Sequence, residues 1–189
     1  NVLETLRYEI AIDAAKASDM VMAFANLMRY SIYYGSTIVP LQTDIEYIND
    51  YLLLQKMRYN RRLNYHIDIP EELMGCKIPK LLLQPVVENS LVHGMKDIRS
   101  IAINISAWKE KGQLKLCVED NGSGIREEKL EELRKGLERE DVYREHIGLY
   151  NSHRVVRLLY GPESGMTIES SPGNGTKVTV TLPADMEEI

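Results

Sequence analysis

A short stretch of acidic, amide and glycine residues follows a predicted β-strand and could bind a flat nitrogenous ligand. Apolar residues alternate with polar ones over 114–118, and the sequence Asp120-Asn121-Gly122-Ser123-Gly124-Ile125 follows closely. A carboxylate at a strand end can accept a hydrogen bond from an exocyclic amine, such as the amino group of adenine. The glycines allow the backbone to approach a flat ligand because they carry no side chain. The same residue types also form ordinary turns, so this stretch alone leaves both interpretations open.

A second polar group, Glu88, Asn89 and His93, lies in a predicted helical segment. Asn89 and His93 are four residues apart and would share one face of a helix. The side-chain oxygen of an asparagine is a suitable ligand for Mg²⁺, which also keeps waters and phosphate oxygens in its shell. His93 would then point at the phosphates. The alternative is a helix with polar residues facing solvent and His93 near a C-terminal Gly94.

Two further glycine-containing sites lie towards the C-terminus. Gly148 and Leu149 open a predicted helix, where backbone N–H groups and the helix dipole can face a phosphate. Gly175 and Thr176 end a turn between the last two predicted strands. Each of these signals by itself is also explained by helix and turn geometry.

The first third of the chain predicts two long helices. Apolar residues recur every three or four positions over residues 1–34, which predicts one unbroken helix. Gly35-Ser36-Thr37 would end it, and Pro40 would open a second helix of the same type. Two such helices form an antiparallel hairpin with apolar surface left over, so a four-helix bundle formed by a homodimer is expected.

The period then changes to two, which predicts strands over 63–69, 101–105, 114–118, 166–170 and 178–182. Residues 79–93 are predicted to be helical, with a loop or a kinked turn before Pro85, and residues 148–160 are predicted to form a helix. Residues 127–147 are charged and predict a mobile surface segment. The fold class is therefore α+β. The helical hairpin (1–60) precedes a two-layer α/β sandwich (62–189) with a mixed, mainly antiparallel sheet.

Composition excludes several classes of function. The 189 residues carry a net charge of −5, which argues against a nucleic-acid-binding surface. No apolar run is long enough to cross a bilayer, so direct membrane contact is not expected. Cys76 and Cys117 are too few and too far apart for a zinc site or a disulfide framework. The chain begins in mid-pattern, and we expect it to be a fragment of a longer protein.

The order and spacing of the four polar sites are more specific than any one of them. Together they resemble the ATP-binding domain of the GHKL superfamily, which includes histidine kinases, gyrase and the heat-shock chaperone ATPase. Asn89 matches the N box, and Gly122, Gly148 and Gly175 match the successive glycine boxes. The long string Ile78 to Gly94, with Gln84-Pro85-Val86-Val87-Glu88-Asn89, is similar to sensor histidine kinases of the LytS/YesM type, as are the segments 27–31 and 51–59.

The resemblance implies a site for Mg²⁺ and ATP. Asn89 would hold Mg²⁺ between the phosphates, Asp120 would bind the adenine amino group, and residues 126–147 would form a lid. The implied ATP-binding residues are Asn89, His93, Asp120, Gly122, Gly124, Ile125, Gly148, Leu149, Gly175 and Thr176, with Asn151 and Arg154 as further candidates. Glu88 and Asn89 are the implied catalytic residues, and Glu88 would polarise an acceptor imidazole or bind the metal through water.

The resemblance also implies an activity and partners. Such kinases phosphorylate one of their own histidines and pass the phosphoryl group to an aspartate of a response regulator. In this subfamily the acceptor would lie four residues before Asn1, and none of His66, His93, His146 and His153 takes its place. The fragment is therefore expected to bind nucleotide without autophosphorylation. The parent protein would be anchored in the bacterial membrane, with this portion in the cytoplasm.

Two departures from the superfamily pattern, and two alternatives, qualify this interpretation. Pro85 stands where many members carry a hydrolytic Glu or Asn, which suits a kinase better than an ATPase, and His146 replaces a frequent glycine. One alternative is a module that dimerises and binds nucleotide without catalysis. The other is a GHKL Ser/Thr kinase of the anti-sigma type, which would not need the long helices of residues 1–60.

Overall fold

The computed structural model describes residues 2–33, 35–96, 98–139 and 147–184 of the chain. Within these ranges the helices are α1 (Val2–Ile12), α2 (Ala14–Tyr33), α3 (Leu41–Tyr59), α4 (Gln84–Asn89), α5 (Glu127–Arg139) and α6 (Ile147–Tyr160). The strands are β1 (Ile38–Pro40), β2 (Leu63–Asp68), β3 (Lys77–Pro79), β4 (Ile101–Glu110), β5 (Gln113–Asp120), β6 (Gly165–Ser170) and β7 (Thr176–Pro183).

The N-terminal helical segment is interrupted at Asp13, so the prediction of one unbroken helix over 1–34 is wrong. The Asp13 carboxylate accepts a hydrogen bond from the backbone N–H of Lys16 at 3.1 Å, which is the bond that an N-cap residue makes. This local bond competes with the continuous helix, and an apolar stripe does not reveal it. Leu6 of α1 packs against a small apolar cluster between α2 and α3 (Met20, Ala23 and Leu54).

Helices α2 and α3 form the expected antiparallel hairpin, and two polar pairs fix its register. The Tyr30 hydroxyl donates to the Asp44 carboxylate at 2.9 Å, and the Asn26 amide donates to Asp50 at 3.0 Å. Helix α3 begins at Leu41. Pro40 was predicted to lie in the first turn of this helix, but it is the N-cap residue, and its extended ψ of 144° makes it the last residue of β1.

A two-stranded antiparallel ribbon connects the hairpin to the rest of the molecule. β1 lies in the link between α2 and α3, and it pairs with β3, so that Ile38 faces Pro79 and Pro40 faces Lys77. Residue 79, the predicted start of the helical segment 79–93, is instead the end of β3. Helix α4 begins only at Gln84, in agreement with the predicted loop or kinked turn before Pro85. The pairing is long-range, and periodicity in a three-residue strand is too short to detect it.

The central sheet has the strand order β2-β4-β5-β7-β6. β2 and β4 are parallel, and every other pair is antiparallel, which confirms the mixed, mainly antiparallel α+β class. The β4–β5 hairpin turns at Lys111 and Gly112, which have φ angles of 50° and 76°. Two successive residues with positive φ are typical of a tight hairpin turn whose twist matches the strands.

Helices α4, α5 and α6 cover one face of the sheet, which makes the structure two-layered. Residues 127–139 form α5 rather than a mobile surface segment, because Leu130, Leu133 and Leu137 are spaced to share one face and are buried. Arg134 further fixes α5 by donating to the Ile168 carbonyl of β6 at 2.7 Å. The remainder of the predicted lid, residues 140–146, lies outside the described residues.

One apolar core extends from α3 into the space between the sheet and its helices. Leu41, Ile48 and Leu52 of α3 are fully buried in it, together with Ile103 of β4 and Leu116 of β5. Residues on both sides of the domain boundary predicted near residue 60 thus pack into the same core. The position of that boundary stays a prediction.

Ile103→Ala should lower the free energy of unfolding by about 2–5 kcal/mol, because it removes buried methylenes and leaves a cavity. Asn104 is the next residue of β4 and is exposed on the opposite face. Asn104→Ala should change the unfolding free energy by about 0.5 kcal/mol or less. Denaturant titration of both variants measures the difference, and equal effects would contradict the assignment of the two faces.

Candidate functional site

Asp120 forms the base of a cleft between the sheet and its helices. It ends β5 on the helix-covered face, between Ile103 of β4 and Thr176 of β7, and is 4% exposed. Its Oδ1 accepts a hydrogen bond from the backbone N–H of Gly122 at 2.8 Å. Burial raises the pKa of the Asp120 carboxyl, and hydrogen bonds from Ser90 and from the amides of Gly122 and Thr176 act in the opposite direction. A buried acceptor of this kind is suited to an exocyclic amine.

Residues of α4 and the turn after it form the polar side of the cleft. A single π-helical turn, Ser90–Gly94, continues α4. Asn89, Ser90 and His93 line the cleft together with Asp120, and the Ser90 side chain is hydrogen-bonded to Asp120. π turns of this kind are frequent at functional sites.

Apolar residues from three helices and two strands form the other walls. The cleft is lined by Val86 of α4, Leu133 of α5, Leu149 of α6, and Ile168 and Val178 of the sheet. The enclosed free volume is about 50 Å³, whereas pockets for drug-sized ligands hold roughly 300–1,000 Å³. In this conformation the cleft is narrower than the pockets that hold ligands of nucleotide size.

The motif glycines are required by contacts between loops. A Cβ atom on Gly122 would lie 2.5 Å from the Gly94 Cα, and one on Gly175 would lie 1.8 Å from the Asp120 carbonyl oxygen. Gly124 has φ +68°, and a Cβ there would lie 1.9 Å from the Ser171 carbonyl oxygen. Protein backbone thus occupies the space next to these glycines, which shape the cleft by bringing three loops together.

Hydrogen bonds hold the same loops in place. The Ser123 N–H donates to the Gly94 carbonyl at 3.0 Å, and the Gly173 N–H donates to the Ser123 carbonyl at 2.8 Å. The Ser170 hydroxyl donates to the Gly175 carbonyl at 2.6 Å and accepts from the Ile125 N–H at 2.9 Å. The loop after β5 is therefore fixed both to the end of the π turn and to the β6–β7 hairpin.

The structure brings most of the predicted site residues to one cleft. The predicted residues that line it are Asn89, His93, Asp120, Gly124, Ile125, Leu149 and Thr176. Gly148 lies just outside, where a Cβ would meet the Pro85 ring at 2.8 Å, so α6 begins against the first turn of α4. Asn151 and Arg154 are exposed on α6 and do not line the cleft, and His146 lies outside the described residues.

Glu88 has a different environment from Asn89. Its Oε1 accepts a hydrogen bond from the Gln84 side chain at 2.7 Å, and Gln84 in turn accepts one from the Tyr47 hydroxyl at 3.0 Å. Burial raises the pKa of Tyr47 and of Tyr51, and the negative charge of Glu88 adds to both shifts. Glu88 therefore faces α3 of the hairpin and is not among the residues that line the cleft.

Sequence reasoning missed several contributors. Ser90 and Gly94 line the cleft. Ser90 is hydrogen-bonded to Asp120, and Gly94 accepts a hydrogen bond from Ser123 in the loop after β5. Both residues lie in the motif around Asn89 and His93, from which their place in the site could have been predicted. Leu133 was missed because α5 was taken for a mobile segment. Among the residues that the structure describes, no group of three or more His, Cys, Asp or Glu side chains could hold a metal ion. Asn89, which lines the cleft, carries a side-chain oxygen of the kind that a hard cation takes as a ligand.

Comparison with known proteins agrees with this geometry. Residues 77–186 match the family of histidine kinase-, DNA gyrase B- and HSP90-like ATPases, and residues 1–63 match the histidine kinase family. The chain belongs to the first of these families, whose match covers more than half of its length. The resemblance inferred from the motifs is thereby confirmed.

The similar curated proteins are sensor kinases. The chain is 32% identical to sensor histidine kinase YesM of Bacillus subtilis over 191 residues, covering 100% of the chain and 32% of that protein. It is 30% identical to sensor protein kinase HptS of Staphylococcus aureus over 183 residues, covering 97% of the chain and 35% of that protein. The chain thus spans about a third of the length of these relatives.

Solved structures share the fold. The histidine kinase domain of the Erythrobacter litoralis EL346 blue-light activated kinase aligns with a TM-score of 0.56 at 18% identity, covering 97% of this chain and 86% of that one. The catalytic domain of histidine kinase ThkA aligns with a TM-score of 0.61 at 15% identity, covering 80% of this chain and 98% of that one.

No helix in the described ranges is both long and apolar enough to cross a membrane.

The raised pKa of Asp120 predicts a pH-dependent stability difference. The ordinary pKa of an aspartate carboxyl is 3.8, and the pKa of Asp120 in the folded state is higher. The folded state therefore binds the proton of this carboxyl more tightly than the unfolded chain does, and ionisation at neutral pH lowers the free energy of unfolding. This loss is relieved as the pH falls through the raised pKa. The unfolding free energy of Asp120→Asn minus that of the wild type should therefore decrease from pH 7 towards pH 4. Denaturant titrations across this range measure it, and a difference that is constant or grows on acidification would contradict the prediction.

Proposed function

We propose that this chain is the kinase core of a two-component sensor histidine kinase and that the cleft around Asp120 binds Mg²⁺-ATP. The observation that carries the proposal is the convergence of a buried carboxylate, Asp120, and a polar helix face, Asn89 and His93, on one apolar-walled cleft. The carboxylate accepts a hydrogen bond from the adenine amino group. Leu149 and Ile168, which line the same cleft, would pack against the ring.

The phosphates would extend from the adenine end towards α4. Asn89 would hold Mg²⁺ there, together with phosphate oxygens and water. The ion would neutralise charge on the phosphoryl group that is transferred, and the residues of this chain would position the nucleotide. His93, four residues after Asn89, lies on the same side of the cleft and is suited to a phosphate oxygen.

The phosphoryl acceptor in this proposal is a histidine upstream of Asn1, in a longer protein anchored in the bacterial membrane. The aspartate of a response regulator receiver domain then accepts the phosphoryl group from it. Glu88 faces the helical hairpin, which is the side from which an acceptor helix would approach, so its carboxylate could polarise the acceptor imidazole. The match of residues 1–63 to the histidine kinase family favours this function over the anti-sigma alternative.

The hairpin would dimerise through an apolar stripe on α2. Val21, Phe24, Met28 and Ile32 follow one another at helical spacing and are 37–65% exposed in the single chain. A second copy packed against this stripe would complete a four-helix bundle. Tyr30, by contrast, is buried within the chain against Tyr47, with ring centroids 4.9 Å apart.

Two substitutions test the nucleotide site. Asp120→Asn should weaken an ATP analogue roughly 10- to 100-fold, because a hydrogen bond to a charged group is worth about 1.5–3 kcal/mol. Asn89→Ala should abolish most of the gain in affinity that Mg²⁺ provides. Calorimetric titration with and without Mg²⁺ measures both effects.

The matched control is Asn64→Ala, which removes an exposed asparagine of β2 away from the cleft. It should bind the analogue like the wild type, with the same Mg²⁺ dependence. Absence of binding by the wild-type chain would count against the proposal and favour the alternative of a dimerisation module. If the chain binds, a longer protein with the upstream histidine should autophosphorylate, and its histidine-free variant should not.

A further inference from the structure

Asp44 is a fully buried carboxylate that lies in α3, outside the nucleotide cleft. Its Oδ1 accepts a hydrogen bond from the Tyr30 hydroxyl of α2 at 2.9 Å and one from the backbone N–H of Leu81 at 2.7 Å. Its Oδ2 lies 3.5 Å from the backbone nitrogen of Leu83. One side chain thus joins both hairpin helices to the segment that leads into α4.

That segment has a backbone conformation that needs support. Leu81 has a φ angle of 61°, in the left-handed region that L residues with bulky side chains rarely adopt. Such a conformation persists only where the surroundings impose it, and the Leu81 N–H is the group that donates the shorter bond to Asp44. Antiparallel pairing of β1 with β3 holds the residues immediately before Leu81.

Helix α4 begins three residues after Leu81, and its first turn has little freedom. Pro85 lies in this turn and contacts the start of α6 at Gly148. Tyr47 of α3 donates to Gln84, whose amide donates to Glu88 one turn later. A shift of the backbone at Leu81 would therefore move α4, and with it Asn89 at the end of that helix.

We propose that Asp44 is a positioning residue for the phosphate end of the nucleotide site: it fixes the N-terminal turn of α4, and through it Asn89, against the helical hairpin. This inference rests on the proposed function, because it assigns to Asn89 the role described above. Asp44 does not contact the cleft and acts only through α4. Since Tyr30 supplies one of the donors, the position of α2 relative to α3 and the affinity for Mg²⁺-nucleotide are coupled, and the coupling is reciprocal.

The decisive variant is Asp44→Asn, with Asp50→Asn as its matched control. Both carboxylates lie on α3 and accept a hydrogen bond from α2, but Asp50 bonds Asn26 and has no bond to the segment before α4. An asparagine at position 44 presents an N–H₂ group to backbone N–H donors and so loses part of the contact. Tyr30→Phe is a milder second variant, since it removes one donor and keeps the ring that packs on Tyr47.

The first measurement is amide hydrogen exchange of the nucleotide-free chain. Asp44→Asn should accelerate exchange of residues 81–94 by about tenfold or more, with the central strands β5 and β7 unchanged. Asp50→Asn should leave residues 81–94 as protected as in the wild type. Equal protection of α4 in the two variants would overturn the proposal.

The second measurement separates the two ends of the nucleotide. In the proposed binding mode adenosine contacts only the Asp120 end, so its affinity for Asp44→Asn should stay within about twofold of the wild type. The additional affinity of Mg²⁺-adenylyl imidodiphosphate should fall by about tenfold, and Tyr30→Phe should show a smaller loss of the same kind. Equal loss of both ligands would indicate general destabilisation and would overturn the positioning role. A wild-type chain that lacks Mg²⁺-dependent binding would contradict the proposed function instead, and the exchange data would then decide whether Asp44 holds α4.

Discussion

The architecture of the cleft depends on burying one carboxylate at the end of a central strand while three loops close around it. Asp120 keeps its hydrogen-bond partners only because the backbone of residues 122–124, the end of the π turn and the β6–β7 hairpin approach it closely. That approach leaves no room for a Cβ at Gly122 or Gly175. Burial raises the pKa of Asp120. Carboxyl groups with a shifted pKa are found especially often at functional sites.

A second buried carboxylate performs the corresponding task at the hairpin side. Asp44 has no route to the cleft, yet its donors come from α2 and from the segment before α4. Together with the β1–β3 ribbon, it makes the hairpin and the sandwich parts of one packed unit. The two carboxylates therefore support opposite ends of the cleft: Asp120 supports the sheet end and Asp44 supports the helix that carries Asn89.

Glu88 and Asn89 illustrate how a helix divides two tasks between neighbouring residues. Successive positions on a helix are separated by about 100°, so Asn89 faces the cleft while Glu88 faces Tyr47 and Tyr51 of the hairpin. In the proposed reaction Asn89 would bind the metal ion on the nucleotide, and Glu88 faces the side of the acceptor. One short helix can thus serve both reactants.

The sequence by itself determined the five strands of the central sheet, the face that each one buries, and the order of the motif residues. Alternation over 101–105 and 114–118 specifies the inner face because a strand has a period of two, and Asp120 continues that same face. The spacing of Leu130, Leu133 and Leu137 also indicates a helix with one apolar face. The many charged residues around them led to the prediction of a mobile segment instead. Only the tertiary structure decided the β1–β3 ribbon, the left-handed Leu81 and the direction of Glu88. Each of these depends on a hydrogen bond or a contact between residues far apart in the chain, which local periodicity does not encode. The break at Asp13 depends instead on a local hydrogen bond to Lys16, which the continuous apolar stripe does not reveal.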